Sequence, residues 1–235
     1  GSARAAMTCT NWLSVKRPSG FGKVPRTVTV TLTGRLRPGV TGKDVIVTLC
    51  GLYNAGEVLN AAVEFVGPGA ATLSMSERMT IANMTTEWGA LVGWFGFDDV
   101  TATYLRDRTR VLQARGITGR LTEEMIRGWE AAPPAPDTDA AYAAEIELDL
   151  GTVSPHVSGP DTVTVMRSAA DIARDRVAVD KAYLLSCVNS RIDDLEQAAE
   201  VVRGRNVADG VELYVAAASA EVQAEAESRG LWRDL

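Results

Sequence analysis

Two hydrophobic periods take turns along the chain. "TVTVTLTG" (residues 27–34) alternates β-branched polar and apolar residues and stops at glycine, which predicts a strand. "RPGVTG" reads as a turn. "GKDVIVTLCGLYN" then places Val45, Leu49 and Leu52 at helical spacing. "AAVEFVGPG" predicts a second strand running into a Gly-Pro turn. In "SMSERMTIANMTTEWGALVG" Ser74 precedes Glu77 by three positions, the pattern of a capping box, so a helix starts there. "DDVTATYLRDRTRVLQARG" is a further helix. Residues 129–141, with three prolines among small residues, read as a linker or surface loop.

The alternation resumes after that stretch. "AEIELDL" predicts a strand, "SPHVSGP" a turn and "SAADIARDRV" a helix. "VDKAYLLSC" reads as a buried strand, "RIDDLEQAAEVVRG" as a helix and "GVELYVAAA" as a strand. "SAEVQAEAESRG" is a helix capped by Ser219 and stopped by Gly230. Strands and helices joined by short connections predict an α/β fold, with a largely parallel sheet in the second half.

Composition narrows the function. The 235 residues suit one large domain or two small ones, and 46% hydrophobic with 23% charged residues is ordinary globular usage. The net charge of −6, with no basic patch interleaved with aromatics, argues against a nucleic-acid partner. No apolar run reaches the length of a membrane span, and the start lacks the apolar core of a signal peptide. Gly1-Ser2 is set aside from fold reasoning. Cys9, Cys50 and Cys187 are odd in number and widely spaced, which fits a reducing compartment, cytoplasmic or organellar, rather than a disulfide framework. The single histidine, His156, rules out a two-histidine metal site.

Three constellations carry chemistry. Cys187, Asn189, Ser190 and Arg191 lie where a predicted strand turns into a helix. Ligands bind beyond strand carboxyl ends in parallel sheets, and a helix N-terminus favours thiolate over thiol; the alternative is a buried structural cysteine beside a capping serine. Asn83 and Glu87 stand four apart on one predicted helix face, suited to a hydroxyacid or a water, against the commoner reading of a solvated face. His156, between a strand and a Gly-Pro turn, reads as a structural hydrogen-bonder. "GFGKVPRT" has the wrong glycine spacing for a phosphate loop.

Taken together, "TGKDVIVTLCGLYN", "MTIANMTTEWGA", "PHVSGPDTV", "VDKAYLLSCVNSRIDDLEQAAEVVRGR" and "VADGVELYVAAAS" resemble the aconitase superfamily, nearest its homoaconitase and isopropylmalate isomerase large-subunit branches. The resemblance runs from about Thr27 onward and is weakest in the first two dozen residues and over 110–140. It implies a hydro-lyase of amino-acid biosynthesis that dehydrates and rehydrates small hydroxy-carboxylates. The Lewis acid is a 4Fe-4S cluster held by three cysteine thiolates. Cys187, in SCVNSR where the family has SCTNSR, matches the first cluster ligand. Asn83 and Glu87 match the active-site Asn and Glu of NMxxE, and Asn189 and Arg191 become substrate-side candidates. Cys9 and Cys50 match no ligand position.

The resemblance also implies what lies elsewhere: the GCxxC motif with the other two ligands, the catalytic histidines of the first domain, and the serine and arginines of the swivelling C-terminal domain. The expectation is therefore a fragment or truncated member, inactive alone and binding no cluster stably. The alternative is a non-catalytic binding partner, or one piece of a split enzyme. The expected fold is three-layer α/β/α in two units. Residues 24–128 resemble the family's second domain and 142–235 the opening of its third, with 129–141 as linker. The compartment is the cytoplasm or the mitochondrial matrix. "GALVGWFGF" carries enough apolar area to predict an exposed patch, with self-association or complementing chains.

Overall fold

β1 (Thr27–Thr33) is the spine of the first sheet. Its alternation buries Val28, Val30 and Leu32 completely on one face, about 1.5–3 kcal/mol each. Thr27 and Thr29 on the other face are also buried, so both sides of the strand are covered. The computed structural model describes residues 24–186 and 188–235. Four parallel strands follow the order β3-β2-β1-β4, with β2 at Ala62–Val66, β3 at Val92–Phe95 and β4 at Ala144–Asp149. The α/β class with a mostly parallel sheet flanked by helices is as the sequence predicts.

Connections explain the layers. From β1 the chain steps to β2 and then β3 in one direction, through helices α1 (Gly42–Leu52) and α2 (Met75–Met84). Right-handed crossovers put both on the same face, where they pack together. Gly42 permits this: a Cβ there would stand 2.8 Å from the Glu77 carbonyl oxygen. From β3 the chain returns past β1 to β4, through α3 (Asp99–Ala114), α4 (Glu123–Ala131) and the proline-rich stretch. Reversing direction sends that return across the opposite face, and Tyr142 at its end bonds Glu64 of β2, 2.9 Å away.

The first unit differs from the sequence reading in two respects. The first concerns the linker. Helix α4 was not anticipated, although Thr122 caps it and Glu123 and Glu124 open it. Trp129, placed in the linker, lies inside that helix with its ring 6.2 Å from that of Phe97. The second concerns the division of the chain. Because β4 pairs with β1 along Val28–Thr33, the segment after the prolines belongs to the first sheet. The compact units therefore divide after Met166, not at 129–141.

The first unit ends through a short 3₁₀ turn at Leu150–Thr152 and β5 (His156–Ser158); β6 (Met166–Ser168) spans the division. The second unit contains α5 (Ala169–Asp175), β7 (Lys181–Leu184), α6 (Ile192–Val202), β8 (Glu212–Val215), α7 (Ala220–Ser228) and α8 (Leu231–Asp234). β7 and β8 pair in parallel, as expected. Leu195, Ala199, Ala226 and Leu231 form its core, against which Leu184 and Val215 pack. The expectation of a buried β7 fails. Exposure alternates along it, Tyr183 is 60% exposed, and its ring stacks on Tyr214 at 5.1 Å. Only one face of this two-stranded sheet carries the core.

Candidate functional site

The first group of site residues sits where α2 ends. The α-helix proper stops at Met84, so Asn83 is in its last turn and Glu87 lies beyond it, contrary to the expectation of one shared helix face. The backbone keeps coiling: Trp88 N–H donates to the Met84 carbonyl at 3.3 Å. Gly89 (φ +101) then closes the coil, with Gly89 N–H on Thr86 and Ala90 N–H on Thr85, both at 2.9 Å, a Schellman ending. Asn83 and Glu87 are exposed, while Met84, Thr85 and Trp88 between and beside them are buried. Trp88 Nε1 donates to the Tyr53 carbonyl at 2.6 Å, which ties this turn to the end of α1. Buried anchors thus hold two exposed polar side chains.

Asn60 N–H donates to Gly89, and Leu91 N–H to Ala61, so this turn lies at the amino-terminal edge of the first sheet. The carboxyl-edge rule therefore does not locate Asn83 and Glu87. Cys50 stands nearby on α1 with no exposed surface, as expected of a buried helix face. Burial, and then the negative charge of Glu87, push its thiol up to about 12. Such a thiol stays protonated and is a poor metal ligand.

His156 is the first residue of β5 rather than part of a turn. Its N–H donates to Asp44 Oδ1 at 3.0 Å and its Nδ1 pairs with the Ser154 carbonyl at 2.5 Å. Thr48 Oγ1 lies 3.5 Å from the same ring nitrogen. Those contacts are structural, in keeping with the sequence reading.

The second group lies after β7. Ser186 Oγ accepts Val188 N–H at 3.0 Å, and Val188 is buried. Ser190 is buried with φ +61, a left-handed conformation that a serine rarely takes. Its carbonyl accepts Ala218 N–H at 2.8 Å, which fixes the strained residue in place. Asp194, in the first turn of α6, gathers both flanking candidates. Asn189 Nδ2 donates to its Oδ1 at 3.2 Å and Arg191 N–H to its Oδ2 at 3.0 Å. Arg191 Nε also donates to the Val188 carbonyl, at 3.2 Å. Asp194 and the Val188 carbonyl thus hold both flanking side chains within the loop, the kind of support a precise site needs. Asp194 was missed in sequence; its place three residues into a helix beginning at Arg191 was the available signal.

Cys187 and Cys9 lie outside the described residues. Among the described residues no three His, Cys, Asp or Glu side chains gather as metal ligands. The described residues alone therefore do not fit a four-iron cluster, which takes three thiolates.

The aconitase family (aconitate hydratase) matches residues 21–235, and the chain belongs to that family. Three relatives are each named "Homoaconitase, mitochondrial". That of Eremothecium gossypii is 50% identical over 216 residues, covering 89% of this chain and 31% of the relative. That of Yarrowia lipolytica is 48% identical over 214 residues, covering 91% and 31%. That of Candida parapsilosis is 46% identical over 224 residues, covering 95% and 32%. The chain spans about a third of the length of these curated relatives.

Proposed function

We propose that this chain is the central part of a homoaconitase-type hydro-lyase, and that it contributes one of three cluster ligands and one side of the substrate site. Cys187 is the ligand. Asn83 and Glu87 in the first unit, and separately Asn189 and Arg191 in the second, are the substrate-side residues for a small hydroxy-carboxylate. The observation that carries this reading is 50% identity to a homoaconitase over 216 residues, 89% of this chain. The hydrogen-bonded loop at 188–194 and the anchored turn at 83–89 support it, because each holds polar side chains through contacts to neighbouring residues.

On this reading the chain alone is catalytically incomplete and binds no stable cluster, since one thiolate does not retain four irons. No catalytic step is derived through the cluster. Complementing chains, or the rest of a longer polypeptide, supply the missing ligands and acid-base groups. The mitochondrial matrix is the favoured compartment, in line with the names of the relatives.

The test has two arms. The chain is reconstituted anaerobically with iron and sulfide, and its metal content and hydration of homoaconitate are measured. The measurement is then repeated with added polypeptides covering the remaining two-thirds of a homoaconitase. Cluster and activity only in the complemented mixture are expected. A stoichiometric cluster on the chain alone, or no activity in a mixture that assembles, overturns the reading.

A further inference from the structure

A cavity of about 350 Å³ opens at the carboxyl ends of β2 and β3, the opposite sheet edge from Asn83 and Glu87. Trp94, Phe97 and the prolines at 133, 134 and 136 form apolar walls, and Glu64 lines it too. Carboxyl ends of parallel strands are where α/β sheets bind ligands, and a mostly apolar pocket with a few polar groups is the usual form of such a site.

Glu64 is only 3% exposed, in the middle of β2, paired in register with Thr29 on one side and Trp94 on the other. Its Oε2 accepts the Tyr142 hydroxyl. Among the described residues no second hydrogen bond and no cation reaches it. An unpaired buried carboxylate costs free energy that a bound counter-charge recovers. Burial accordingly raises its pKa, against the Tyr142 hydrogen bond.

Arg78, the cation lining the cavity, is already committed. Nη1 and Nη2 hold Asp98 at 2.7 and 2.6 Å, and Nη2 also donates to the Ala70 carbonyl at 3.0 Å. The Arg78 Nε–H is buried without a hydrogen-bond partner among the described residues, but Asp98 already balances its charge, so an arriving anion meets the uncompensated Glu64 carboxylate. A cation meets an uncompensated carboxylate beside aromatic rings, both of which attract positive charge.

We propose that this cavity binds a small organic cation, an ammonium group on a flat apolar body, with Glu64 as counter-charge and Trp94 and Phe97 against the body.

Calorimetric titration of the full chain at neutral pH tests this with benzylammonium, benzyl alcohol and benzoate. Benzylammonium is expected to bind saturably, about tenfold more tightly than benzyl alcohol, and benzoate not at all. Glu64→Gln keeps an acceptor for Tyr142 and is expected to lose that tenfold preference without loss of helical signal. Should that variant misfold, Trp94→Leu retains the carboxylate and is expected to weaken benzylammonium binding. Tighter binding of benzoate, equal binding of all three, no benzylammonium heat at millimolar concentration, or a preference unchanged in a folded Glu64→Gln chain each overturns the proposal.

Discussion

Asp44 and His156 stand far apart in the chain and are joined by one carboxylate. Oδ2 of Asp44 accepts Thr41 N–H at 2.9 Å and caps α1, while Oδ1 accepts His156 N–H at 3.0 Å and pins β5 to that helix. One buried side chain therefore sets a helix start and a distant strand. Asp44→Ala removes both bonds and is expected to cost about 2 kcal/mol, summing a lost cap and a lost charged hydrogen bond. Asp44→Asn keeps one oxygen and should lose about half as much. Urea unfolding of the three chains checks both; a cost for Asp44→Ala within error of zero would refute the bridging role.

The pair Arg78–Asp98 is a doubly hydrogen-bonded charge contact of the first unit with a buried guanidinium. Arg78 is 3% exposed, bonds Asp98 through both terminal nitrogens, and lies over the Phe95 ring at 5.8 Å. Asp98→Ala strands a buried guanidinium and should destabilise by about 3 kcal/mol or more. The pH dependence has a definite sign. Burial opposes ionisation of Asp98, but hydrogen bonds from Arg78 and Thr101 outweigh it and hold its pKa below the usual range. Its stabilisation is thus present above the unfolded pKa and is lost as pH falls through the folded one. Asp98→Asn should flatten that acid limb. A mutant whose stability falls as steeply with acid as the parent's would contradict this.

Glu64 shows the opposite sign. Its folded pKa is raised by burial, so the folded state holds its proton to higher pH than the unfolded chain. Its favourable contribution is complete below the unfolded pKa and declines as pH climbs through the folded one. Glu64→Gln should therefore be more stable than the parent at neutral pH, with the gap closing under acid. Paired thermal melts across that range would show it, and a Gln chain less stable than the parent at neutral pH would remove the argument.

Much of this was legible in sequence, for identifiable reasons. β1 announced itself because β-branched residues alternate strictly, and α2 because Ser74 and Glu77 form a box, with bonds of 3.3 and 2.7 Å. The division of the chain was not legible. Prolines at 133–136 look like a boundary, but they run over the sheet, and pairing of β4 with β1 is decided by strand register that no local pattern encodes. Asn83 and Glu87 were singled out by their four-residue spacing and by the NMxxE match; the shared helix face does not hold, since the helix ends between them. Glu64 was passed over because a lone carboxylate in a strand normally points to solvent, and only the return connection, through Tyr142, covers it.

Close backbone approach gives another prediction. A Cβ on Gly93 of β3 would lie 2.8 Å from Ala82 Cα and 2.7 Å from Thr85 Cγ2. Backbone of α2 cannot move aside without disturbing the turn that carries Asn83 and Glu87. Gly93→Ala should cost about 1–3 kcal/mol as overpacking. Gly96→Ala, in the next loop with open space around it, serves as control. Equal stability of the two variants in denaturant titration would show that α2 yields freely.

Cysteine reactivity reads out the same turn. Cys50 has no exposed surface, and burial together with Glu87 raises its thiol to about 12, so almost none is thiolate at neutral pH. Alkylation of the folded chain at neutral pH should leave Cys50 unmodified and label Cys187 first, if Cys187 sits at a strand end facing a helix N-terminus. Peptide mass analysis separates the sites. Glu87→Gln removes the repelling charge, so the Cys50 pKa should fall while burial still keeps it above an ordinary thiol. Labelling in mildly alkaline buffer should then exceed the parent's, with the far-UV signal unchanged. Prompt modification of Cys50 in the native parent at neutral pH would mean that α1 opens there, and the anchoring argued for Asn83 and Glu87 would fail with it.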